Sequence, residues 1–100
     1  MEQIHATEQL PELTNREKLA AVGYEDSIVF ENPDYDGAII GVTDEGNVVY
    51  DYCKMVEHLM EKDGMEMTEA VEFVEYNTVR ALPYAGDGAP IIITMLKDLY

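Results

Sequence analysis

Basic residues are scarce in this chain: six Lys and Arg stand against 21 Asp and Glu, a formal charge of −15 over 100 residues. Such a chain repels the phosphate backbone, so direct nucleic-acid binding without a metal or partner is excluded. Anionic membrane surfaces are disfavoured for the same reason. Cysteine is scarcer still. Cys53 stands alone, which removes any intrachain disulfide framework and any multi-cysteine zinc site. Serine occurs once, at Ser27, leaving a serine hydrolase a single nucleophile with no motif around it. No apolar run approaches the roughly 20 residues of a membrane span. The polar, acidic start Met1-Glu2-Gln3-Ile4-His5 reads as neither signal nor transit peptide. A reduced, cytoplasmic setting is therefore expected.

What is present argues for a folded domain. The chain is 47% apolar, too rich in aliphatic residues for a disordered acidic tail. Its length allows one domain that buries about 60–65% of its unfolded surface. Residues 1–13 are polar, with Pro11 among them, and read as a flexible N-terminal arm ahead of a single α+β domain over 14–100. Thr14-Asn15-Arg16-Glu17 is a capping box, Thr at the N-cap and Glu three residues on. A short helix is expected from about Asn15 to Val22, stopped by Gly23 and docked through Leu13, Leu19 and Val22.

From Ser27 the pattern turns to β. Ser27–Phe30, Ala38–Thr43 and Asn47–Tyr50 are candidate strands, the last two joined by Asp44-Glu45-Gly46 in a hairpin. Asp51 is placed to cap a helix from Tyr52 to about Lys62, with Tyr52, Met55, Val56, Leu59 and Met60 on its inner side. Asp63-Gly64 ends that helix, with Met65 placed for a capping contact. A second helix is expected from about Thr68 to Leu82, ahead of Pro83. Its inner face reads Met67, Ala70, Val71, Val74, Asn77, Thr78 and Ala81. The short turn between the helices makes them an antiparallel pair. Pro90–Thr94 is β-branched without alternation, so it is expected to be a central, covered strand. The order gives an α+β fold. It has a small mixed or antiparallel sheet of three to four strands, a helical hairpin packed on one face and a short N-terminal helix.

Catalytic and cofactor motifs are missing. There is no Gly-Lys-Ser/Thr phosphate loop, no Gly-x-Gly-x-x-Gly after a strand and no Gly-x-Ser-x-Gly elbow, so no cofactor is expected. Cys53 and His58 lie about 140° apart on one helix, which reads as a buried thiol and a surface imidazole rather than a catalytic pair. Asp34-Tyr35-Asp36-Gly37 has the opening of a calcium loop. However, Ala38 and Ile39 stand where a third ligand and the loop glycine belong, so turn chemistry explains it and no metal site is assigned.

The charge is concentrated. Glu57, Glu61, Asp63, Glu66, Glu69, Glu72 and Glu75 put seven acids between residues 57 and 75, opposed only by Lys62. Like charges three or four residues apart cost a helix about 0.2–0.5 kcal/mol each, and mixed charge would solubilise a small domain more easily. Two readings compete, a solvated acidic face and an electrostatic docking surface. Tyr76 and Val79, beside the glutamates, make the second reading an interface with an aromatic anchor. The alternative for Tyr76 is a contact with Arg80 or Glu72. Asn77 and Arg80 are read as structural. The amide is expected to bond the backbone of the 84–88 loop, and the guanidinium to pair with a carboxylate. The methionines of the hairpin read as adaptable core.

The stretches Asp34–Val42, Tyr50-Asp51-Tyr52 and especially Glu75-Tyr76-Asn77-Thr78-Val79-Arg80-Ala81-Leu82-Pro83-Tyr84 resemble small acidic proteins of Gram-positive gut bacteria and their mobile elements. That family has no assigned function. The resemblance spans about residues 34–94; it implies a bacterial or phage accessory protein and carries over no catalytic or binding residue. The leading expectation is a non-catalytic module whose hairpin docks a basic protein surface. Next comes a DNA mimic that inhibits a nuclease or restriction complex, and last a small enzyme or metal-binding protein. A monomer and a homodimer through an open sheet edge are both compatible with the pattern.

Overall fold

The computed structural model describes residues 12–99, so the expected arm lies outside the described residues as far as residue 11. Helix α1 spans Asn15–Ala21. Its capping box forms in full: Glu17 N–H donates to Thr14 Oγ1 at 3.1 Å, and Thr14 N–H donates to Glu17 Oε1 at 2.9 Å. Gly23, at φ +100°, ends the helical run in a conformation that costs a glycine least. Leu19 is buried, whereas Leu13 and Val22 are exposed; of the three apolar residues expected to dock α1, Leu19 alone is in the core.

Polar bonds supply the rest of the attachment. Asp36 accepts the backbone N–H groups of Asn15 and Arg16, each at 2.9 Å. The Asn15 amide donates in return to the carbonyls of Asp36 at 2.7 Å and Ile39 at 3.3 Å. All four N–H groups that open a helix without intrahelical partners, those of Thr14, Asn15, Arg16 and Glu17, are thus satisfied, two of them by a residue some twenty positions away. The calcium-loop-like segment has become a helix anchor. Asp34 adds a turn bond from Asp36 N–H at 3.1 Å.

Three strands form one mixed sheet in the order β1-β2-β3. Strands β1 (Ile39–Val42) and β2 (Val48–Asp51) are antiparallel, with a register shift between Ile39 and Gly41. They are joined by the expected hairpin. Thr43 N–H bonds Asn47 O, Gly46 N–H bonds Thr43 O, both at 2.9 Å, and Gly46 sits at φ +92°. Strand β3 (Ile91–Ile93) pairs parallel to β2. The central strand is therefore β2, and β3 lies at the edge, with Ile91 and Ile93 each 37% exposed. The unbroken apolar run suggested a strand covered on both faces; only its middle residue, Ile92, packs on the core.

Ser27–Phe30 is not a strand. Its backbone is held by a turn, Ser27 N–H to Tyr24 O at 3.1 Å, and by a side chain, Phe30 N–H to Tyr50 Oη at 3.0 Å. With a phenol in place of a ladder partner, the segment contributes its ring instead. Phe30 packs tilted on Tyr50 at 4.7 Å and edge-on to Tyr35 at 5.9 Å, geometries that aromatic quadrupoles favour. Tyr35 is fully buried although its backbone is left-handed, φ 49° and ψ 33°, a costly state for an aromatic residue. Helix α2 (Tyr52–Lys62) puts Met55, Val56 and Leu59 into the same core as Val48 and Tyr50.

Candidate functional site

The hairpin begins at Asp51, 1% exposed. Its Oδ1 accepts Cys53 N–H at 3.0 Å and Lys54 N–H at 3.4 Å, the N-cap expected of it. At the other end Gly64 turns left-handed, and Met65 N–H reaches back to Leu59 O at 3.3 Å while its side chain packs on the core. Helix α3 (Met67–Phe73) then runs back along α2. The Tyr52 hydroxyl donates to Glu75 Oε2 at 3.0 Å, joining the start of α2 to the turn that follows α3.

After Phe73 the α-helical run does not continue to Leu82. Val74–Thr78 is a π turn, and Val79–Ala85 a 3-10 segment containing Pro83 and ending at Gly86. The wider i→i+5 turn delays rotation about the axis. Ala70, Val74 and Thr78, four apart, therefore share the buried side. Thr78 Oγ1 meets the Tyr35 hydroxyl at 3.0 Å inside the core, so the buried polar position is Thr78. Asn77 is exposed and makes no side-chain hydrogen bond among the described residues. Asn47 takes the part expected of Asn77, donating to Ala89 O at 2.9 Å. Met67, expected inside, is 63% exposed because it opens α3 before the helix meets the core. Ala81 is exposed as well.

Glu57, Glu61, Glu66, Glu69, Glu72 and Glu75 are all exposed, and none is in an ion pair among the described residues. They do not all line one groove. Glu57 and Glu61 border a cleft of about 340 Å³ with Asp34, Asp36, Lys54 and Lys62, on the flank of α2 beside the 34–37 turn. Glu66, Glu69, Glu72 and Glu75 ride on the α3 run. Tyr76 is 59% exposed, and the Arg80 guanidinium lies over its ring, 4.7 Å from the centroid. The contact with Arg80 offered as the alternative for Tyr76 is the one that forms, so Arg80 has an aromatic face where a carboxylate was expected, a cation–π contact worth about 0.5–1 kcal/mol at an exposed site. Val79 is half-buried and packs on the core, so Tyr76 projects further than its neighbour. The Tyr52 hydroxyl is held in its neutral form: burial first, then the bond to Glu75 and its negative charge, push its pKa up to about 12.

Cys53 and His58 are apart in use as well as in angle. The His58 ring packs against Tyr35 at 5.5 Å. Cys53, half-buried, lies beside Asp51 and Asp98, the three ligand-type atoms all within 4.8 Å of one another. Nothing in the sequence joins residues 51 and 98; the parallel pairing of β3 on β2 brings them together. Burial first, and then the charges of Asp98 and Asp51, push the Cys53 thiol up. That favours a neutral thiol over the thiolate that metals bind. Tyr35 and Tyr50 are also raised, in both cases chiefly by burial. A depression of about 750 Å³ forms an open groove between α1 and residues 24–36, bordered by Arg16, Tyr24, Glu25 and Asp26. Arg16 is held there by Glu31 through two contacts of 3.3 Å. Among the described residues every buried side-chain nitrogen or oxygen has a hydrogen-bond partner, and no helix is long and apolar enough to cross a membrane.

Comparison with protein-family models, with curated proteins and with solved structures finds no match to this chain.

Proposed function

We propose that this chain is a non-catalytic, cytoplasmic interaction module that docks a basic protein surface through the α2–α3 hairpin. One observation carries the reading: six glutamates stand exposed on the hairpin, with no ion pair to any of them among the described residues. Exposed charges need little desolvation and act over about 8 Å in physiological salt, so they accelerate and orient encounter with a surface of opposite sign. Tyr76 beside them offers the aromatic contact on which such interfaces commonly centre. The resemblance to acidic proteins of bacterial mobile elements supports a bacterial or phage setting.

The test is affinity capture from a bacterial lysate at low and moderate salt, with the captured proteins identified by mass spectrometry. Basic proteins held at low salt and released at moderate salt are expected. If a variant with Glu66, Glu69, Glu72 and Glu75 changed to Gln recovers the same proteins, docking through α3 is wrong. Capture of a nucleic-acid-binding protein that duplex DNA displaces would make the hairpin a mimic of the phosphate backbone, the narrower form of this proposal.

A further inference from the structure

The segment Ser27–Phe30 is made of strand-forming residues but has no strand to pair with. It is pinned at both ends, by Ser27 N–H on Tyr24 O and by Phe30 N–H on Tyr50 Oη, and Val29 and Phe30 pack on the core. Between the pins, the N–H groups of Ile28 and Val29 and the carbonyls of Ser27, Ile28 and Val29 make no hydrogen bond among the described residues. Backbone groups without a protein partner keep water instead. Ser27, Ile28, Val29 and Glu31 line the open groove of about 750 Å³ beside α1, which is room for a second chain. An extended peptide laid along these groups replaces that water with a strand's hydrogen bonds.

Charge selects the occupant. Glu25 and Asp26 precede the segment and Glu31 follows it, all three exposed and all on the groove. Arg16 is the one cation among the described residues that line it, and Glu31 already holds that guanidinium. A strand with basic residues at both ends sets opposite charges against these acids, while an uncharged middle lies along Ile28 and Val29. The chain's own residues 1–11 bring Glu2 and Glu8 and neither Lys nor Arg. A second copy at −15 is repelled as a whole.

We propose that the groove beside α1 takes an extended basic segment of a partner protein, added as a strand along Ser27–Phe30. None of its lining residues belongs to α2 or α3. A short peptide here has a dissociation constant of roughly 0.1–1 mM, and washing removes it from an affinity matrix. Docking through the hairpin and strand addition at the groove are therefore tested separately.

The test is amide NMR of the isotope-labelled full chain, titrated with the peptide Lys-Lys-Val-Thr-Val-Thr-Lys-Lys in about 0.05 M salt to limit screening. The amides of residues 27–31 should shift and saturate. The same peptide with its central Thr-Val replaced by Pro-Pro lacks a ladder donor on either edge and should bind there at least about fivefold more weakly. Glu25→Lys with Asp26→Lys, both at exposed positions, should weaken binding at 27–31 about tenfold. Changing Glu66, Glu69, Glu72 and Glu75 to Gln reaches the same net charge, −15 + 4 = −11, and should alter it less than about twofold. No shift at 27–31 up to about 5 mM peptide, a proline peptide that binds there as tightly, or equal weakening by the two variants would overturn the proposal. So would contacts in the peptide-free chain from residues 27–31 to residues 1–11 or to a second copy, since the groove would then have another occupant.

Discussion

Asp36→Ala is expected to detach α1 from the rest of the molecule. A seven-residue helix has no stability of its own in water, and α1 contributes only Leu19 to the core. Its hold depends on the 36–39 turn, where Asp36 accepts two helix-opening N–H groups at 2.9 Å. Hydrogen bonds to a charged group contribute about 1.5–3 kcal/mol each when well shielded from solvent, and a carboxylate at a helix N-terminus adds about 0.3–1 kcal/mol through the dipole. Asp36 is half-buried, so the summed value is reduced by solvation, and a loss of about 2–4 kcal/mol follows. Asp36→Asn keeps one acceptor oxygen and should lose about half as much. Thr14→Ala, which removes one cap bond, should cost about 1 kcal/mol. Urea unfolding followed by circular dichroism measures the totals, and amide exchange at residues 15–21 shows whether the damage is local. Asp36→Ala within about 0.5 kcal/mol of the parent, with α1 amides still protected, would refute the anchoring role.

Tyr35→Phe removes the buried hydroxyl that meets Thr78 at 3.0 Å and should cost about 1–2 kcal/mol in urea unfolding, more than the same change at the exposed Tyr84. Asn47→Ala, which frees the Ala89 carbonyl, should cost about 1 kcal/mol, and Asn77→Ala, exposed, under about 0.5 kcal/mol. Alkali should destabilise the fold. Tyr52 is raised from 10.0 to about 12, so between those values the native state holds the proton that the unfolded chain releases. The stabilisation is complete below pH 10 and is lost as pH rises toward 12. Tyr35 and Tyr50, raised in the same direction, add to the loss. A pH series of thermal midpoints should fall above pH 10, and less steeply in Tyr52→Phe.

The features legible in the sequence are those decided by near neighbours. Thr14 and Glu17 cap each other across three residues, Gly46 turns the hairpin, and Asp51 caps the helix that follows it. The outward glutamates of the hairpin are also a local matter, since helical spacing alone places them. What was not legible depends on distant contacts. Asp36 looked like turn chemistry because its partners, Asn15 and Arg16, lie 21 and 20 residues earlier. Phe30 belonged to an apparent strand until Tyr50 supplied a side-chain acceptor for its N–H. Periodicity chose both Asn77 and Thr78 for the inner face; Thr78 is buried there, where Tyr35 completes its hydrogen bond, whereas Asn77, on the π turn, is exposed. The edge position of β3 follows from its pairing, which an unbroken apolar run does not encode. At the site, Arg80 was assigned to a carboxylate by scarcity of cations, and the nearer Tyr76 ring took it.

Docking through the hairpin is tested most directly by two variants of equal charge. One carries Glu66, Glu69, Glu72 and Glu75 changed to Gln. The other neutralises four exposed acids elsewhere, Glu25→Gln, Asp26→Asn, Asp44→Asn and Glu45→Gln. Each has a net charge of −15 + 4 = −11, so general electrostatics are matched and only location differs. Quantitative capture from the same lysate at low salt should show the basic proteins lost with the hairpin variant and retained with the other. Equal loss in both, or retention in both, would contradict docking through the hairpin.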